Sequence, residues 1–488
     1  MGIDVNYPIL ISLLVYALLM LLVSLFWMAR VKNSVDYLMG GRALPWWVQA
    51  GTFTATGIGT GVTIGGAGLA YRSGWAGFTY PAAIGAGLIF VGSFFAGMRR
   101  FRFMTLSEEI ACYYNGSRFI FGFANVSLYL SQVAWMTVQI MGGGFVLSVV
   151  TGLSVPVCML ITGALIAATA LPGGLLTVVY TDVIQAVVLL AGFLILATIA
   201  LQRSGGLAEL HRSVPPAYVS FLGTEAVGVT TPISVFLALA VSIVADPCRR
   251  MIIYSGRSEA GAMVASWIAG VLEIGFAGLV VIVGMYAYSL NPDLQDQDRA
   301  LPWLVAEVMP IWLASLVVIA LTAAIFSSGN SNAAASGTFF IRHIYPLFTG
   351  RTPERPVAVA RWSMVAVFLG ATAMALFARN IVDFVVAALS VLTSGLGVII
   401  VMGRFWNRST WQGALAALIV SAAVSLLLIV TPSLTGPFSG QPIIPATFSG
   451  LIAHVLVSRF TQGTKLPFDQ VALQLTRERE GIEHAPGK

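Results

Sequence analysis

Charge is what this chain has least of. Of its 488 residues only 9% are Asp, Glu, Lys or Arg, while 58% are hydrophobic and the mean hydropathy is +0.88. A soluble domain carries about a quarter charged residues, so a water-soluble globule is excluded and a polytopic membrane protein is implied. Cysteine is scarce: Cys112, Cys158 and Cys248 fall inside helical stretches or near the inner side, and no disulfide is expected. The four histidines, His211, His343, His454 and His484, are scattered, with no Ser/His pair and no HExxH, which excludes an intramembrane enzyme. Nothing repeats at short period as channel filters do. The leading residues Met1–Tyr7 hold no basic stretch, so the first apolar segment is expected to persist as a helix rather than be removed as a signal peptide. The 28 residues after Phe460 are too few for an appended kinase or binding module.

What the chain has is apolar length. Thirteen stretches are long enough to cross a bilayer, which takes about 20 helical residues: 8–29, 45–70, 75–98, 119–150, 154–171, 174–201, 229–246, 261–288, 311–340, 358–378, 381–403, 411–431 and 443–459. Basic residues set their direction. With the N-terminus outside, the inner loops hold Arg30, Lys32, Arg42, Arg99, Arg100, Arg102, Arg118, Arg249, Arg250, Arg257, Arg342, Arg351, Arg355, Arg361, Arg404 and Arg408, and the C-terminal side holds Arg459, Lys465, Arg477, Arg479 and Lys488. The outer side keeps Arg72, Arg203, Arg212, Arg299 and Arg379, and its loop 289–300 carries Asp293, Asp296 and Asp298. The positive-inside rule then gives N-out, C-in. The net charge of +6 therefore belongs to short loops beside helix ends, and a nucleic-acid partner is excluded.

Three features interrupt the apolar pattern. Residues 324–332 form a polar run in which Ala324, Ser327, Ser328 and Ser331 fall at i, i+3, i+4 and i+7, so three hydroxyls and a weakly covered carbonyl line one helical stripe. Hard oxygens on one stripe suit an alkali cation; the structural alternative is polar glue between packed helices. Residues 55–68 hold six glycines with threonines interleaved, a poor continuous helix. A break there exposes carbonyls and N–H groups at mid-membrane depth, where ions and substrates bind in carriers. Finally, Asp182 and Glu273 lie inside expected spans, where a carboxylate costs about 2.5 to 3.5 kcal/mol at the bilayer centre. No Lys or Arg is expected deep in a span, which leaves a bound cation or a proton as their partner.

Four stretches, in order across nearly the whole chain, resemble the sodium/solute symporter family, the group of sodium/glucose, proline, pantothenate and sialic-acid transporters. They are Gly41-Arg42-Ala43-Leu44-Pro45-Trp46-Trp47, the end of the broken segment Ile64-Gly65-Gly66-Ala67-Gly68-Leu69-Ala70-Tyr71, Gly173-Gly174-Leu175 with Tyr180-Thr181-Asp182-Val183-Ile184-Gln185, and Ala323-Ala324-Ile325-Phe326-Ser327-Ser328. The resemblance implies an all-α polytopic fold of about 13 transmembrane helices with a LeuT-type inverted five-helix repeat. It divides the chain into an extra helix and first inner loop (1–44), a first repeat (45–201), an outer loop (202–228), a second repeat (229–403), two C-terminal helices (404–460) and an inner tail (461–488). By motif position it implies a first sodium site at Ala55, Ile58, Ala324, Ser327 and Ser328. A second, at Asp182, Ser327, Asn330 and Ser331, departs from the pattern at Asn330, whose carbonyl oxygen still suits a hard cation.

In sugar-carrying relatives charged and amide residues occupy the broken helix, but the matching positions here are Gly61 and Val62, and Val235 to Val241 is nearly without polar side chains. A sugar is disfavoured. Gln132, Trp135 and Gln139 share one face of the fourth span, and Met136-Thr137-Val138-Gln139 with Gly142-Gly143 is locally similar to pantothenate carriers. The expected substrate set is Thr56, Gly59, Thr60, Tyr80, Gln132, Trp135, Gln139 and Glu273. The expected function is sodium-coupled symport of a small organic solute, preferably a carboxylate, by alternating access. A proton-coupled carrier using Asp182 or Glu273, or sodium-coupled uptake of an amino acid or amine, stays open. Sodium is the coupling ion, with no cofactor, no nucleic acid and no obligatory protein partner implied, and a cell membrane of the bacterial inner-membrane type is the expected location.

Overall fold

Each of the thirteen apolar stretches holds a helix in the computed structural model, which describes residues 6–378, 380–431, 441–463 and 465–483. Arg379, His484 and Lys488 lie outside the described residues. The first helix, α1 (Tyr7–Met28), is followed by α2 (Trp46–Gly57), α3 (Gly66–Ser73) and α4 (Thr79–Phe95). A short α5 (Leu106–Tyr113) leads to α6 (Arg118–Thr151), α7 (Val155–Ala170) and α8 (Gly174–Arg203). The second half runs α9 (Thr230–Val244), α10 (Pro247–Ser255), α11 (Glu259–Leu290), α12 (Ile311–Phe339), α13 (Pro356–Phe377), α14 (Ile381–Leu392) and α15 (Ser394–Phe405). The chain then forms α16 (Trp411–Val430), α17 (Ile443–Phe460) and α18 (Phe468–Glu483).

Among the described residues nine helices are long and apolar enough to cross a membrane, or up to eleven if each bent pair counts as one span. The expected thirteen exceed this because α7 has only 16 residues and α2 stops after 12 at the break. The bent pairs are α9 with α10, at 42°, and α14 with α15, at 49°.

Two breaks shape the interior. At the first, Ile58 turns out of helical geometry with φ −84 and ψ 54, and its N–H makes the last bond of α2, to the Thr54 carbonyl at 2.9 Å. The final carbonyls of α2 thus lose their main-chain partners, as at any helix end. Gly57 permits a close approach here: a methyl at its Cα would lie 1.5 Å from Glu273 Oε1 on α11. At the second break Asp246 caps α10, accepting from the N–H of Cys248 at 2.7 Å. Around these breaks α12 packs against α2, α6 and α8, and α11 against α2, α3 and α4.

Arg249 and Arg250 overturn their expected place in an inner loop. They are 4% and 0% exposed on α10, because the bend after α9 returns this basic segment to the protein interior. Burial is tolerated because each has an acid: Arg249 pairs with Asp246, and Arg250 with Glu109 of α5 at 3.2 Å. Glu109 also accepts from Tyr254 at 2.5 Å and Tyr113 at 2.8 Å. Next in sequence to Glu109, Glu108 pairs with Arg342 at 2.7 Å, and Arg342 also meets Glu478 of α18 at 3.2 Å.

Candidate functional site

The oxygen stripe of α12 meets the broken end of α2. Ser327 Oγ donates to the Ala55 carbonyl at 2.8 Å and to its own helix at Ala324 at 3.1 Å, and Ser328 Oγ donates to the Thr56 carbonyl at 2.8 Å. All four residues other than Thr56 are 2% exposed or less. Two hydroxyls and the carbonyls freed by the break therefore converge in a dry interior, a donor set of hard oxygens. Ile58 lies directly after them, also buried.

Thr56 extends the cluster towards α8. Its hydroxyl donates to Ser331 Oγ at 3.1 Å, and Ser331 donates to Asp182 Oδ2 at 3.2 Å. Asp182 is fully buried and its Oδ1 has no hydrogen-bond partner. Asn330, grouped with these by sequence, turns elsewhere: its Oδ1 accepts from Thr169 of α7 at 3.0 Å.

Beside the cluster is a small cavity of about 10 Å³. Of the expected substrate residues, Thr56, Gly59, Tyr80, Trp135 and Gln139 line it. Gln139 also fastens the break, its Oε1 accepting from the Thr60 N–H at 3.1 Å. Thr60, Gln132 and Glu273 are buried but fall outside the lining. Glu273 stands behind Gly57, with no hydrogen-bond partner for either oxygen.

Ser328 of the expected sodium site also lines the cavity, and two walls were not expected from the sequence: Asn332 and Arg249. Arg249 corrects the expectation that no basic side chain lies deep in a span; it reaches the level of the α2 break and acts electrostatically on Glu273. A signal for it existed. Asp246-Pro247 after an apolar run is a capped helix restart, with Arg249 at i+3 from the capping acid.

A helix broken at mid-length, packed against a hydroxyl stripe beside a small cavity, defines a cation-coupled carrier of the LeuT type. The chain belongs to the sodium:solute symporter family, whose family model matches residues 37–421. It is 26% identical over 480 residues to the sodium/pantothenate symporter of Escherichia coli (strain K12), an alignment covering 94% of this chain and 97% of that one. It is 25% identical over 474 residues to the sodium/glucose cotransporter of Vibrio parahaemolyticus, covering 86% of this chain and 84% of that one. In fold it is similar to a Na+-coupled sialic acid symporter solved substrate-bound and outward-open, with a TM-score of 0.79 at 19% identity over 95% of this chain and 100% of that chain. Members of this family are membrane transporters driven by sodium, not enzymes.

Proposed function

We propose that this protein carries a small organic carboxylate across a cell membrane together with sodium, by alternating access between two inverted repeats, residues 45–201 and 229–403. The observation that carries the reading is the pair of hydroxyls, Ser327 and Ser328, set on the Ala55 and Thr56 carbonyls where α2 ends. Ala55, Ile58, Ala324, Ser327 and Ser328 would hold the first sodium, each hydroxyl turning a lone pair towards the ion. Asp182 and Ser331 would serve a second, with Asn330 contributing only if it leaves Thr169.

The carboxylate preference draws support from relatives whose names specify pantothenate and from the sialic acid symporter of like fold. The cavity, at about 10 Å³, is far smaller than a ligand pocket, so a solute would enter it only as the surrounding helices part. A sodium ion arriving first would leave local positive charge that favours an anion. Proton coupling is the rival, and the bare oxygens of Glu273 favour it. Counterflow in proteoliposomes at fixed pH, with and without sodium, decides between them: the sodium reading requires that exchange collapse when choline replaces sodium.

A further inference from the structure

Arg249 is the one charged side chain in the cavity lining among the described residues. A buried guanidinium is costly, and although Asp246 pairs its charge, its hydrogen bonding is incomplete in a particular way. Asp246 uses Oδ1 on the N-terminus of α10, accepting from Cys248 at 2.7 Å and Arg249 at 3.4 Å, and Oδ2 on one terminal nitrogen of Arg249. Asp246 thus meets Arg249 through one terminal nitrogen, while Nε of Arg249 is buried with no partner at all. Arg250, one residue on, has a like unpartnered Nε, but it is enclosed by Glu109, the Val244 carbonyl and the face of Phe95 and does not line the cavity.

A second unpartnered donor faces the same space. The Tyr80 hydroxyl is fully buried, lines the cavity and makes no hydrogen bond. It fits only because position 61 is glycine, since a methyl there would lie 2.2 Å from Tyr80 Oη. A buried donor left unmet is costly, so two of them on one small cavity imply an acceptor set between them. Arginine's side edge, Nε with a terminal nitrogen, matches the two oxygens of a carboxylate. A primary amine would meet the like charge of Arg249, because Glu273, the nearby acid, lies outside the lining.

We propose that Arg249, with the Tyr80 hydroxyl, is the anchor for the substrate's carboxylate and the residue that sets acid-over-amine selectivity. The inference rests on the carboxylate reading above. The Arg249–Asp246 pair is neutral, so the bound anion adds one negative charge to the interior, and the sodium ion that enters with it balances that charge.

The test uses the purified full chain in saturating sodium and a panel of small monocarboxylates, pantothenate among them, each beside its neutral primary amide and the matching amine. Binding is read by thermal stabilisation and by competition in proteoliposomes. Wild type is expected to favour an acid over its amide by about a hundredfold, Arg249→Gln to bring the ratio within about threefold, and Arg249→Lys to fall between, while stabilisation by sodium alone is unchanged. If Arg249→Gln fails to fold because Asp246 is left unpaired, Asp246→Asn/Arg249→Gln removes both charges together and should lose the same selectivity. An acid-to-amide ratio retained in either variant overturns the assignment of Arg249 and leaves the carboxylate reading standing. Wild type binding amides or amines as well as acids overturns the carboxylate reading itself, and the anchor with it.

Discussion

Ser331 stands between Thr56 and Asp182, accepting a hydrogen bond from the threonine hydroxyl at 3.1 Å and donating one to the carboxylate at 3.2 Å. This relay joins the break in α2 to a fully buried acid on α8 whose other oxygen is unmet. A cation near Asp182 would therefore be felt at the α2 break through two hydroxyls. Asp182→Asn keeps the size and removes the charge. Cation coupling is expected to fall while expression survives, and a carrier that moves two sodium ions per solute should move one. Stoichiometry from reversal potentials in proteoliposomes checks this; an unchanged ratio with unchanged kinetics would make Asp182 a packing residue only.

Ser327 and Ser328 act on the α2 carbonyls directly. Replacing both by Ala removes two hard oxygens from the proposed first sodium site and leaves the Ala55 and Thr56 carbonyls unpaired. The sodium concentration for half-maximal uptake is expected to rise at least tenfold, well beyond any change in protein yield. A sodium titration of the double variant that overlays wild type would remove these residues from the ion site.

Glu273 lies behind Gly57 and outside the cavity lining, and Arg249 near it is already paired with Asp246. Glu273→Gln is therefore expected to be nearly neutral, with substrate affinity changed by less than tenfold, about 1.4 kcal/mol, at every pH tested. A greater loss, appearing only where the wild-type acid is ionised, would redirect the search towards amine substrates.

Asp298 brings pH into the segment between α11 and α12. It is fully buried after α11, and Oδ2 accepts from the Ile381 N–H at the start of α14 at 2.6 Å. Burial pushes its carboxyl from the ordinary 3.8 up to about 7, helped by Asp296 and Asp383 and opposed by the Ile381 bond. Because the folded form holds its proton more tightly than the unfolded form, this group's stabilising effect is complete below about pH 4 and is lost as pH rises to about 7. Melting temperature is expected to fall across that range by a component that Asp298→Asn abolishes. Parallel melting curves for the two proteins against pH would show the loop indifferent to this carboxyl.

Much of the architecture was legible because helical periodicity is local. The apolar stretches predict every long helix, the glycines of 55–68 predict the break at Ile58, and the spacing of Ser327, Ser328 and Ser331 predicts the stripe that α12 presents to α2 and α8. Those features depend only on neighbours within a few residues. The family motifs could be read for the same reason, and the family model spans residues 37–421.

What tertiary structure decided concerns partners distant in the chain. Sequence places Gln132 on one face with Trp135 and Gln139, yet only the latter two reach the cavity, and Asn330 turns to Thr169. Arg249 is the sharpest case: hydropathy and charge asymmetry assign an arginine beside a span end to an aqueous loop. The 42° bend between α9 and α10 returns it to the interior, where the Asp246 carboxylate offsets the desolvation cost that would otherwise have kept it in water.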